Sequence, residues 1–528
     1  MKIRYILLLI ITVLGVSSCY DDKGNYSYDP KNDIKITFDA SYFEAILGEK
    51  IKLTPRLTFA IDSNDVDLSY KWTFLGKEIS DQRNLEWVVD TVTSNHNVYL
   101  NVTDNRTGVT FSGGISAMLS SAYAKEAWVV LAKQNGKSVL SYIRATQEDD
   151  GSEYGTFTYT DIPDIYQLVN GEELGTEPVR VLEHFAARGG IGHFWVLQNG
   201  GQGCVDLSGE DFTKDILLND IFLDGNLPVD FKPIDMIDMK WLTCVVNHDG
   251  KVYTRKKLTN QLYNSGYFID RPLEFENEEV DGSRMVLAPF SDLNYTVMYD
   301  KVHNRFLAIA DLKKETAGKV VKFTVDESGY APDFARLDNL GNMEVLHTGY
   351  YEVKEGESGD QGYYSILRDR TTGNYYTHDF RVNAMSESSN PSAFPVLQCQ
   401  IDLNQVINGT SKNVFNVLRS WVYGDDFGTP YVLISKDNEL WLYDRDAKMP
   451  VEKYYEFPQG QIITAIDSES VGSRRVAIGM QSGEFYVLDL TRKAVNGQKE
   501  KLIYASTHNF GEIVHIRYKV CSGNGWGY

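Results

Sequence analysis

Seven β-hairpins recur along residues 122–528, and this recurrence constrains the fold more than any other feature of the sequence. Each hairpin consists of an apolar or aromatic run, a tight polar turn and a second apolar run. Turns such as Asn135-Gly136 and Asp249-Gly250 supply residues that tolerate the positive φ angles of two-residue hairpin loops. The hairpins are spaced roughly 45–70 residues apart, which leaves room for four strands in each repeat. Their first runs begin at residues 128, 194, 241, 306, 363, 431 and 476.

A four-stranded sheet cannot bury both of its apolar faces by itself. Stacking such sheets radially around an axis removes these faces from water, which is worth about 25 cal/mol per Å², and protects the strand edges. We therefore predict a β-propeller over residues 122–528 with seven blades, or eight if one gap holds a degenerate blade. The last apolar run, residues 513–520, is expected to complete the blade that the first hairpin begins. An open two-sheet sandwich or two unrelated β-domains are the alternatives.

Residues 34–121 have a different pattern, of short strands with alternating apolar and polar residues. Turn residues separate these runs about every ten positions, which is typical of a β-sandwich. Trp72 falls in one of the middle runs and is expected to fill the space between the two sheets. The alternating runs are residues 34–38, 51–54, 70–74 and 98–103, followed by 109–111 and 115–119.

The first 18 residues have the pattern of an export signal. Lys2 and Arg4 precede the apolar run Ile6–Val16, which has the length of a signal-peptide core and is too short to span a bilayer. Small residues then lead to Cys19, an order that resembles the bacterial lipobox, in which the cysteine is acylated. We predict a lipoprotein signal peptide over residues 1–18 and lipid attachment at Cys19.

Residues 19–33 are polar and contain Gly24 and Pro30, so we predict a flexible tether. Asp21 and Asp22 resemble the surface-export signal of lipoproteins in Bacteroidota, although they could also be only part of a solvated tether. The predicted location is the outer membrane, with the chain anchored by lipid and facing the cell exterior.

A family resemblance appears in the sandwich segment. The pattern Leu68-x-Tyr70-x-Trp72-x-Phe74, followed by Leu100-x-Val102-Thr103-Asp104 and Thr107-Gly108, resembles a PKD-type immunoglobulin-like domain. The complete arrangement is similar to PKD-like lipoproteins of Bacteroidota, in which such a domain follows the lipid anchor. The W-D-F-G-D-G of PKD domains reads Trp72-Thr73-Phe74-Leu75-Gly76-Lys77 here, so both acidic positions are absent and metal binding is not carried over.

The overall charge excludes one class of partner. The formal net charge is -21, and such an acidic surface repels the phosphate backbone of nucleic acids and anionic lipid headgroups. We therefore expect no nucleic-acid partner, and contact with the membrane only through the lipid anchor.

Complete catalytic motifs are absent from the sequence. There is no H-E-x-x-H zinc motif and no G-x-S-x-G nucleophile elbow. Gly136-Lys137-Ser138 ends like a phosphate-binding loop, but Leu131 stands where its first glycine is required, and a hairpin turn explains these residues. We accordingly expect no catalytic residues and no cofactor.

Metal binding also has little support in the sequence. Cys204, Cys244, Cys399 and Cys521 are far apart, without a C-x-x-C, so we expect buried free thiols and no zinc at these cysteines; three disulfide pairings remain open. The acidic clusters at residues 148–150 and 274–281 could bind Ca²⁺ through oxygen ligands, although acidic clusters are more often a solvated face.

Aromatic residues in Gly-rich contexts are the candidates for ligand contact, because an exposed ring can stack on a sugar or anchor a protein interface. The candidates are Trp421, Tyr423 and Trp526, and the pair Tyr350-Tyr351 has a similar context.

Two classes of function follow from these observations. The first is a non-catalytic binding or accessory protein of the cell surface; the resemblance implies capture of an oligosaccharide or oligopeptide together with a SusC/SusD-like importer and other surface lipoproteins. The alternative is a surface enzyme that degrades glycans or peptides with an active site on the propeller axis, which would require a histidine of shifted pKa or converging carboxylates there.

Overall fold

The computed structural model describes residues 32–520, with the exception of 63, 65, 149–155, 188–189, 287–293, 326–329, 332, 354–360, 384–385, 387–389, 419–430, 446–449 and 470–473. The described chain divides after Ser120 into two compact units. Both units consist almost entirely of β-strands. The helices of the described part are α1 (Ile165–Asn170), α2 (Asn404–Ile407), α3 (Arg492–Val495) and two short 3-10 segments, Leu218–Ile221 and Leu223–Gly225. None of them has the length and hydrophobicity needed to cross a membrane.

The first unit is the predicted β-sandwich. Its largest sheet has the strand order β2-β9-β8-β5-β6, with β2 parallel to β9, and two small sheets pair β1 with β4 and β3 with β7. The strands are β1 (Ile34–Thr37), β2 (Tyr42–Ile46), β3 (Lys50–Leu53), β4 (Arg56–Phe59), β5 (Leu68–Phe74), β6 (Lys77–Ser80), β7 (Leu85–Val88), β8 (Thr93–Asp104) and β9 (Val109–Ser120).

Trp72 lies at the centre of the sandwich core, as predicted. Its side chain is fully buried and packs in one apolar cluster with Ile34 and Leu85 from the small sheets and with Leu100 from the large sheet. The indole N–H of Trp72 donates to the backbone carbonyl of Gln82 at 2.9 Å, so burial leaves this polar group satisfied.

The second unit contains seven sheets of three to five strands, which confirms the propeller and gives seven blades within the described part of the chain. Each predicted hairpin is an antiparallel strand pair in one of these sheets. Sheets one to three contain β10 (Ala127–Gln134), β11 (Lys137–Glu148), β12 (Thr156–Ile162) and β39 (Glu512–Lys519); β13 (Thr176–His184), β14 (His193–Gly200), β15 (Val205–Ser208) and β16 (Lys214–Leu217); and β17 (Pro233–Asp238), β18 (Leu242–Asn247) and β19 (Val252–Lys256).

The remaining four sheets follow in chain order, after a small hairpin of β20 (Glu274–Phe275) and β21 (Glu278–Glu279). They contain β22 (Arg284–Val286), β23 (Tyr295–Asp300), β24 (Arg305–Ala310) and β25 (Val320–Val321); β26 (Thr324–Val325), β27 (Met343–Glu352), β28 (Gln361–Asp369), β29 (Tyr375–Val382) and β30 (Ser392–Ile401); β31 (Phe415–Val417), β32 (Tyr431–Lys436), β33 (Glu439–Asp444) and β34 (Glu452–Glu456); and β35 (Ile463–Ser468), β36 (Arg475–Met480), β37 (Phe485–Asp489) and β38 (Leu502–Ala505).

The ring closes between the end and the beginning of this unit. The last strand, β39, pairs antiparallel with β10 and completes the first sheet, as the sequence predicted for residues 513–520. Each of the strands β39, β13, β17, β22, β27, β31 and β35 lies at one end of its sheet. Contacts join β35 to β39, β39 to β13 and β13 to β17, and likewise β22 to β27, β27 to β31 and β31 to β35. These are the innermost strands, and they surround the propeller axis.

The sequence of β10 shows why the sheets stack. Six consecutive residues from Ala127 to Ala132 are buried, because both faces of this strand are covered by neighbouring sheets. The strand therefore reads as a continuous apolar run rather than an alternating one. Asn135 and Gly136 have φ angles of 52° and 81°, so the Asn-Gly turn has the conformation for which it was predicted.

Cys204 and Cys244 are buried free thiols in the propeller, as expected. Burial raises the pKa of the Cys204 thiol to about 12, which keeps it protonated and unreactive. Cys399 is also a free thiol but is only partly buried, and it lies within hydrogen-bonding distance of the Thr377 hydroxyl. Cys521 lies outside the described residues.

Candidate functional site

The innermost strands bring charged side chains to the propeller axis. Arg180 of β13 extends to the neighbouring sheet, where its Nη1 lies 2.9 Å from Oδ2 of Asp235 in β17. The Arg180 side chain remains 38% exposed, so this ion pair leaves part of the guanidinium accessible.

Two histidines share the axis with these groups. The pKa of His347 in β27 is lowered to about 3, mainly by burial and further by the charges of Arg284 and Arg180. The pKa of His515 in β39 lies well below its usual value, again mainly because of burial, with Arg180 and Arg517 adding to the effect. Both imidazoles are therefore neutral at pH 7.

These arginines and histidines belong to different sheets, which shows that they meet at the propeller axis. Arg180 belongs to sheet two and His347 to sheet five, and these sheets are not neighbours in the ring. Only the axis brings side chains of two such sheets close enough for one charge to affect the other. We call Arg180, Arg284, His347, His515 and Arg517 the axial cluster.

One carboxyl group next to the axis titrates near neutral pH. Burial raises the pKa of Glu183 in β13 to about 7, although the cations of Lys519 and Arg517 act in the opposite direction. The carboxyl group accepts hydrogen bonds from the backbone N–H of Val520 at 3.0 and 3.2 Å, which ties the end of β13 to the end of β39.

The axial cluster has two chemical capabilities. Guanidinium groups bind carboxylate, sulfate or phosphate groups through planar pairs of hydrogen bonds. A neutral imidazole can accept a proton from a bound molecule, provided that the molecule comes within hydrogen-bonding reach.

A second polar group lies between sheets two and three. His184, His193 and Asp206 place one nitrogen or oxygen atom each within 4.8 Å of the others, and this is the group of residues in the described part whose side chains could hold a metal ion. Burial lowers the pKa of His184, but the carboxylates of Asp206 and Asp238 outweigh burial and raise it to about 9. Despite its burial, Asp206 has a lowered pKa because His184 and His193 stabilise its charge.

Most of the site residues predicted from the sequence lie outside the described residues. This holds for the lipid attachment site and export signal, for the aromatic candidates and for two of the acidic residues in the cluster at 148–150; these residues are Cys19, Asp21, Asp22, Trp421, Tyr423, Trp526, Asp149 and Asp150.

The prediction for Tyr350 and Tyr351 was wrong. Both belong to β27 and are more than nine-tenths buried, so they pack in the core instead of contacting a ligand. The Gly349-Tyr-Tyr context suggested a loop because a glycine in a strand interior resembles a turn signal. Gly349 is required instead by close packing, since a Cβ atom there would lie 2.6 Å from the side chain of Val417.

The acidic cluster at residues 274–281 is neutralised by nearby cations. Glu274 pairs with Arg271 at 2.9 Å and Glu276 with Lys322 at 2.8 Å. His303 and Lys251 lie within ion-pair distance of the next two carboxylates, Glu278 and Glu279. These contacts are those of a solvated face crossed by surface ion pairs.

One protein family matches part of the chain. The sequence model of a PKD-like family matches residues 19–178, which covers less than a third of the chain. The chain is similar to the PKD-like family. The match spans the sandwich and continues into the first strands of the propeller, as far as β13. No curated protein matches the chain.

Several solved structures are similar over most of the chain. A quinoprotein alcohol dehydrogenase-like protein of Bacteroides thetaiotaomicron is 11% identical, covers 92% of this chain and 99% of its own, and has a TM-score of 0.40. AztD of Citrobacter koseri is 11% identical over 86% of this chain and 99% of its own, with a TM-score of 0.35. BamB of Moraxella catarrhalis is 9% identical over 74% and 93%, with a TM-score of 0.31. These values are too low to support a shared function.

Neither the axial cluster nor the histidine pair was identified from the sequence. The predicted hairpins contain the second and third strands of most sheets, whereas the axial residues lie on innermost strands, of which the sequence analysis located only the run at 513–520. One signal was present: His184 and His193 stand at the two ends of a short segment before a predicted hairpin. Its meaning depends on strand register, which the sequence does not give.

Proposed function

We propose that this chain is a lipid-anchored binding protein of the outer cell surface that captures an anionic oligosaccharide or peptide on its propeller axis. In this role it serves as an accessory subunit of a SusC/SusD-like nutrient importer. The proposal of an anionic ligand rests on one observation: three different sheets place Arg180, Arg284 and Arg517 around the same axis. The location and the importer rest on the signal-peptide pattern and on the similarity to PKD-like lipoproteins.

The contrast in charge supports an anionic ligand. The chain as a whole carries a formal charge of -21, which disfavours anions at most of its surface. A recess lined by low-dielectric walls focuses the field of its own charges, so a few cations can dominate locally within an acidic protein. Asp235 and Glu183 offset part of the positive charge of the axial arginines. Because the attraction for a single anionic group is thereby reduced, we expect binding of ligands that carry more than one such group.

The ligand class can be tested with the full-length chain on a panel of uronate-bearing, sulfated and neutral oligosaccharides and of acidic peptides. We expect binding to anionic members only, weakening as salt is increased because charges at the axis are screened. Arg517→Ala and Arg284→Ala should weaken binding about tenfold or more, a loss of roughly 1.4 kcal/mol. Arg271→Ala is the matched control, because Arg271 is 72% exposed and forms only a surface pair.

The importer partner requires a separate experiment. The tagged chain is purified from outer membranes solubilised in detergent, and co-purifying proteins are identified by mass spectrometry. Recovery of a SusC/SusD-like pair supports the accessory role. Recovery without such a pair, together with no binding on the panel, rejects the proposal.

The neutral histidines favour a second candidate, a surface enzyme acting on glycans or peptides at the same axis. His515 and His347 stay unprotonated beside arginines, which is the state a general base requires, while an arginine could neutralise a substrate carboxylate. Enzyme activity predicts that the panel yields cleavage products and that His515→Ala abolishes product formation while binding persists. Intact panel members after prolonged incubation favour the binding protein.

A further inference from the structure

We propose that His184, His193 and Asp206 form a binding site for one divalent transition-metal ion, with zinc as the ion best matched to the donors. The site lies between sheets two and three. It does not depend on the ligand proposed for the axis.

Strand register places the three side chains on one face of sheet two. His184 at the end of β13 is directly opposite His193 at the start of β14, and Trp195 of β14 is opposite Asp206 of β15. Residues two apart on a strand, such as His193 and Trp195, point to the same face. The two histidines and Asp206 therefore all face sheet three.

The donor atoms already converge. Nε2 of His184 lies 2.8 Å from Oδ1 of Asp206, and Nδ1 of His193 lies 3.0 Å from Oδ2 of the same carboxylate. Zinc binds histidine nitrogen and carboxylate oxygen at about 2.0–2.2 Å, so its ligand atoms lie about 3–3.5 Å apart. A small outward movement of two imidazoles accommodates the ion.

The second nitrogen of His184 faces a carboxylate that is itself held in place. Nδ1 of His184 lies 3.6 Å from Oδ2 of Asp238, and this buried nitrogen has no hydrogen-bond partner at that distance. Asp238 accepts hydrogen bonds of 2.6 Å from Lys257 and from Thr243. Metal-ligating histidines commonly donate their other N–H to such a carboxylate. Movement of the His184 ring away from Asp206, which the ion requires, would bring Nδ1–H within donating distance of Asp238 and leave Nε2 for the metal.

His193 is oriented by the segment that follows sheet three. Its ring stacks on Tyr263 with centroids 3.6 Å apart, and Tyr263 is held by a hydrogen bond to the carbonyl of Ile191. Asp215 is half exposed and lies 3.9 Å from Nδ1 of His193. The side-chain amide of Asn264 donates to Asp206 at 2.5 Å and to Asp215 at 3.1 Å, so this amide must move aside for the ion and a fourth ligand.

The donor set selects the class of ion. Two imidazole nitrogens and one carboxylate suit zinc and other late first-row metals, whereas calcium and magnesium require oxygen ligands. The competing explanation is a network with no metal, in which a protonated His184 joins Asp206 to Asp238 while His193 and Asn264 satisfy the second oxygen of Asp206. The two explanations differ in whether stoichiometric metal is retained.

The test uses the full-length chain purified in detergent, stripped with EDTA and titrated with Zn²⁺ alone. Zinc content after dialysis is measured by mass spectrometry, affinity by calorimetry, and coordination by the visible spectrum of the Co²⁺ form. We expect one equivalent of zinc, a tetrahedral Co²⁺ spectrum, and no retention of Ca²⁺ or Mg²⁺.

Three variants decide the assignment. His193→Ala and Asp206→Asn should each weaken zinc binding about 100-fold or more, whereas His248→Ala, at an exposed histidine paired with Asp230, should leave it unchanged. His193 is 14% exposed, so its replacement is the variant least dependent on refolding of the core, and far-UV circular dichroism checks its fold. Absence of zinc binding in the wild-type chain, or unchanged binding in folded His193→Ala, overturns the proposal.

Discussion

Tyr518, in the last strand of the propeller, packs edge to face on Trp128 in the first, with ring centroids 4.7 Å apart. The two residues are partners across the ladder between β39 and β10. The Tyr518 hydroxyl also donates to Glu126 at 2.5 Å, and its backbone N–H donates to Asp467 of β35 at 2.7 Å. One residue thus connects the first sheet with the seventh, at the place where the ring closes.

Tyr518→Ala should destabilise the propeller by about 3–5 kcal/mol, because it removes a buried ring from the closure contact and leaves a cavity. The measurement is the free energy of unfolding in urea. Tyr267→Ala is the control, since Tyr267 is 56% exposed and its loss should cost little. Equal losses in the two variants would show that closure does not depend on this ring.

Asp238 and Lys257 form a buried ion pair whose side chains are 5% and 2% exposed. Removing one partner leaves an uncompensated buried charge, so Asp238→Ala should destabilise the metal-free protein by about 3–5 kcal/mol. Glu173→Ala breaks the exposed pair between Lys137 and Glu173 and should cost less than about 1 kcal/mol. Both variants are compared in urea in the presence of EDTA; an Asp238→Ala value as small as the control value contradicts the argument.

Two adjacent glycines of β9 should respond differently to alanine. A Cβ atom on Gly113 would lie 2.6 Å from Cβ of Ile36 in the facing small sheet, whereas one on Gly114 would meet the ring of Tyr99 at 3.0 Å. Tyr99 is 45% exposed and can move aside, but Ile36 packs against the core. Gly113→Ala should therefore cost about 1–3 kcal/mol and Gly114→Ala less, measured by thermal unfolding. A larger cost at Gly114 would disprove this account.

The pH dependence of stability should have a component from Asp311. Burial raises the pKa of Asp311 to about 7, although the backbone N–H of Trp241 and the charge of Lys257 act in the opposite direction. Since an unfolded aspartate has a pKa near 3.9, the folded state holds a proton between about pH 4 and pH 7 that the unfolded state has released. This contribution to stability is complete below pH 4 and is lost as the pH rises toward 7.

Asp311→Asn removes this titration while its side-chain oxygen can still accept from the Trp241 N–H, which lies 2.9 Å from Oδ1 of Asp311. We expect the free energy of unfolding of the variant to change less between about pH 4.5 and pH 7, by an amount on the order of 3 kcal/mol. Urea unfolding of both proteins across this range provides the measurement. Parallel pH profiles would place the pKa of Asp311 near its ordinary value.

The strands that could be predicted from the sequence are those whose two faces are both buried. Strands such as β10 and β32 have neighbouring sheets on both sides, so Trp128–Leu131 and Tyr431–Ile434 are continuous apolar runs that mark a hairpin directly. Apart from the run at 513–520, the innermost strands were not recognised from such a signal. Residues of β13, β17 and β22 face the axis as well as the neighbouring sheets, and charged residues such as Arg180 and Asp235 interrupt their apolar pattern.

The candidate sites could not be predicted for the same reason. His184 and His193 are nine positions apart in sequence, and only the register of β13 on β14 makes them direct neighbours. The axial arginines lie on β13, β22 and β39, which are far apart in the sequence, and they come close together only because the ring of sheets closes. Conversely, Tyr350 and Tyr351 show that an aromatic pair next to a glycine can belong to a core strand.

The pairing of β39 with β10 has a consequence for biogenesis. A chain that is synthesised from its amino end offers β10 an empty neighbouring position until β39 has been made, so the first sheet cannot be completed before that point. A chain truncated before β39 leaves the first sheet without its fourth strand and exposes the backbone edge of β10 to proteases.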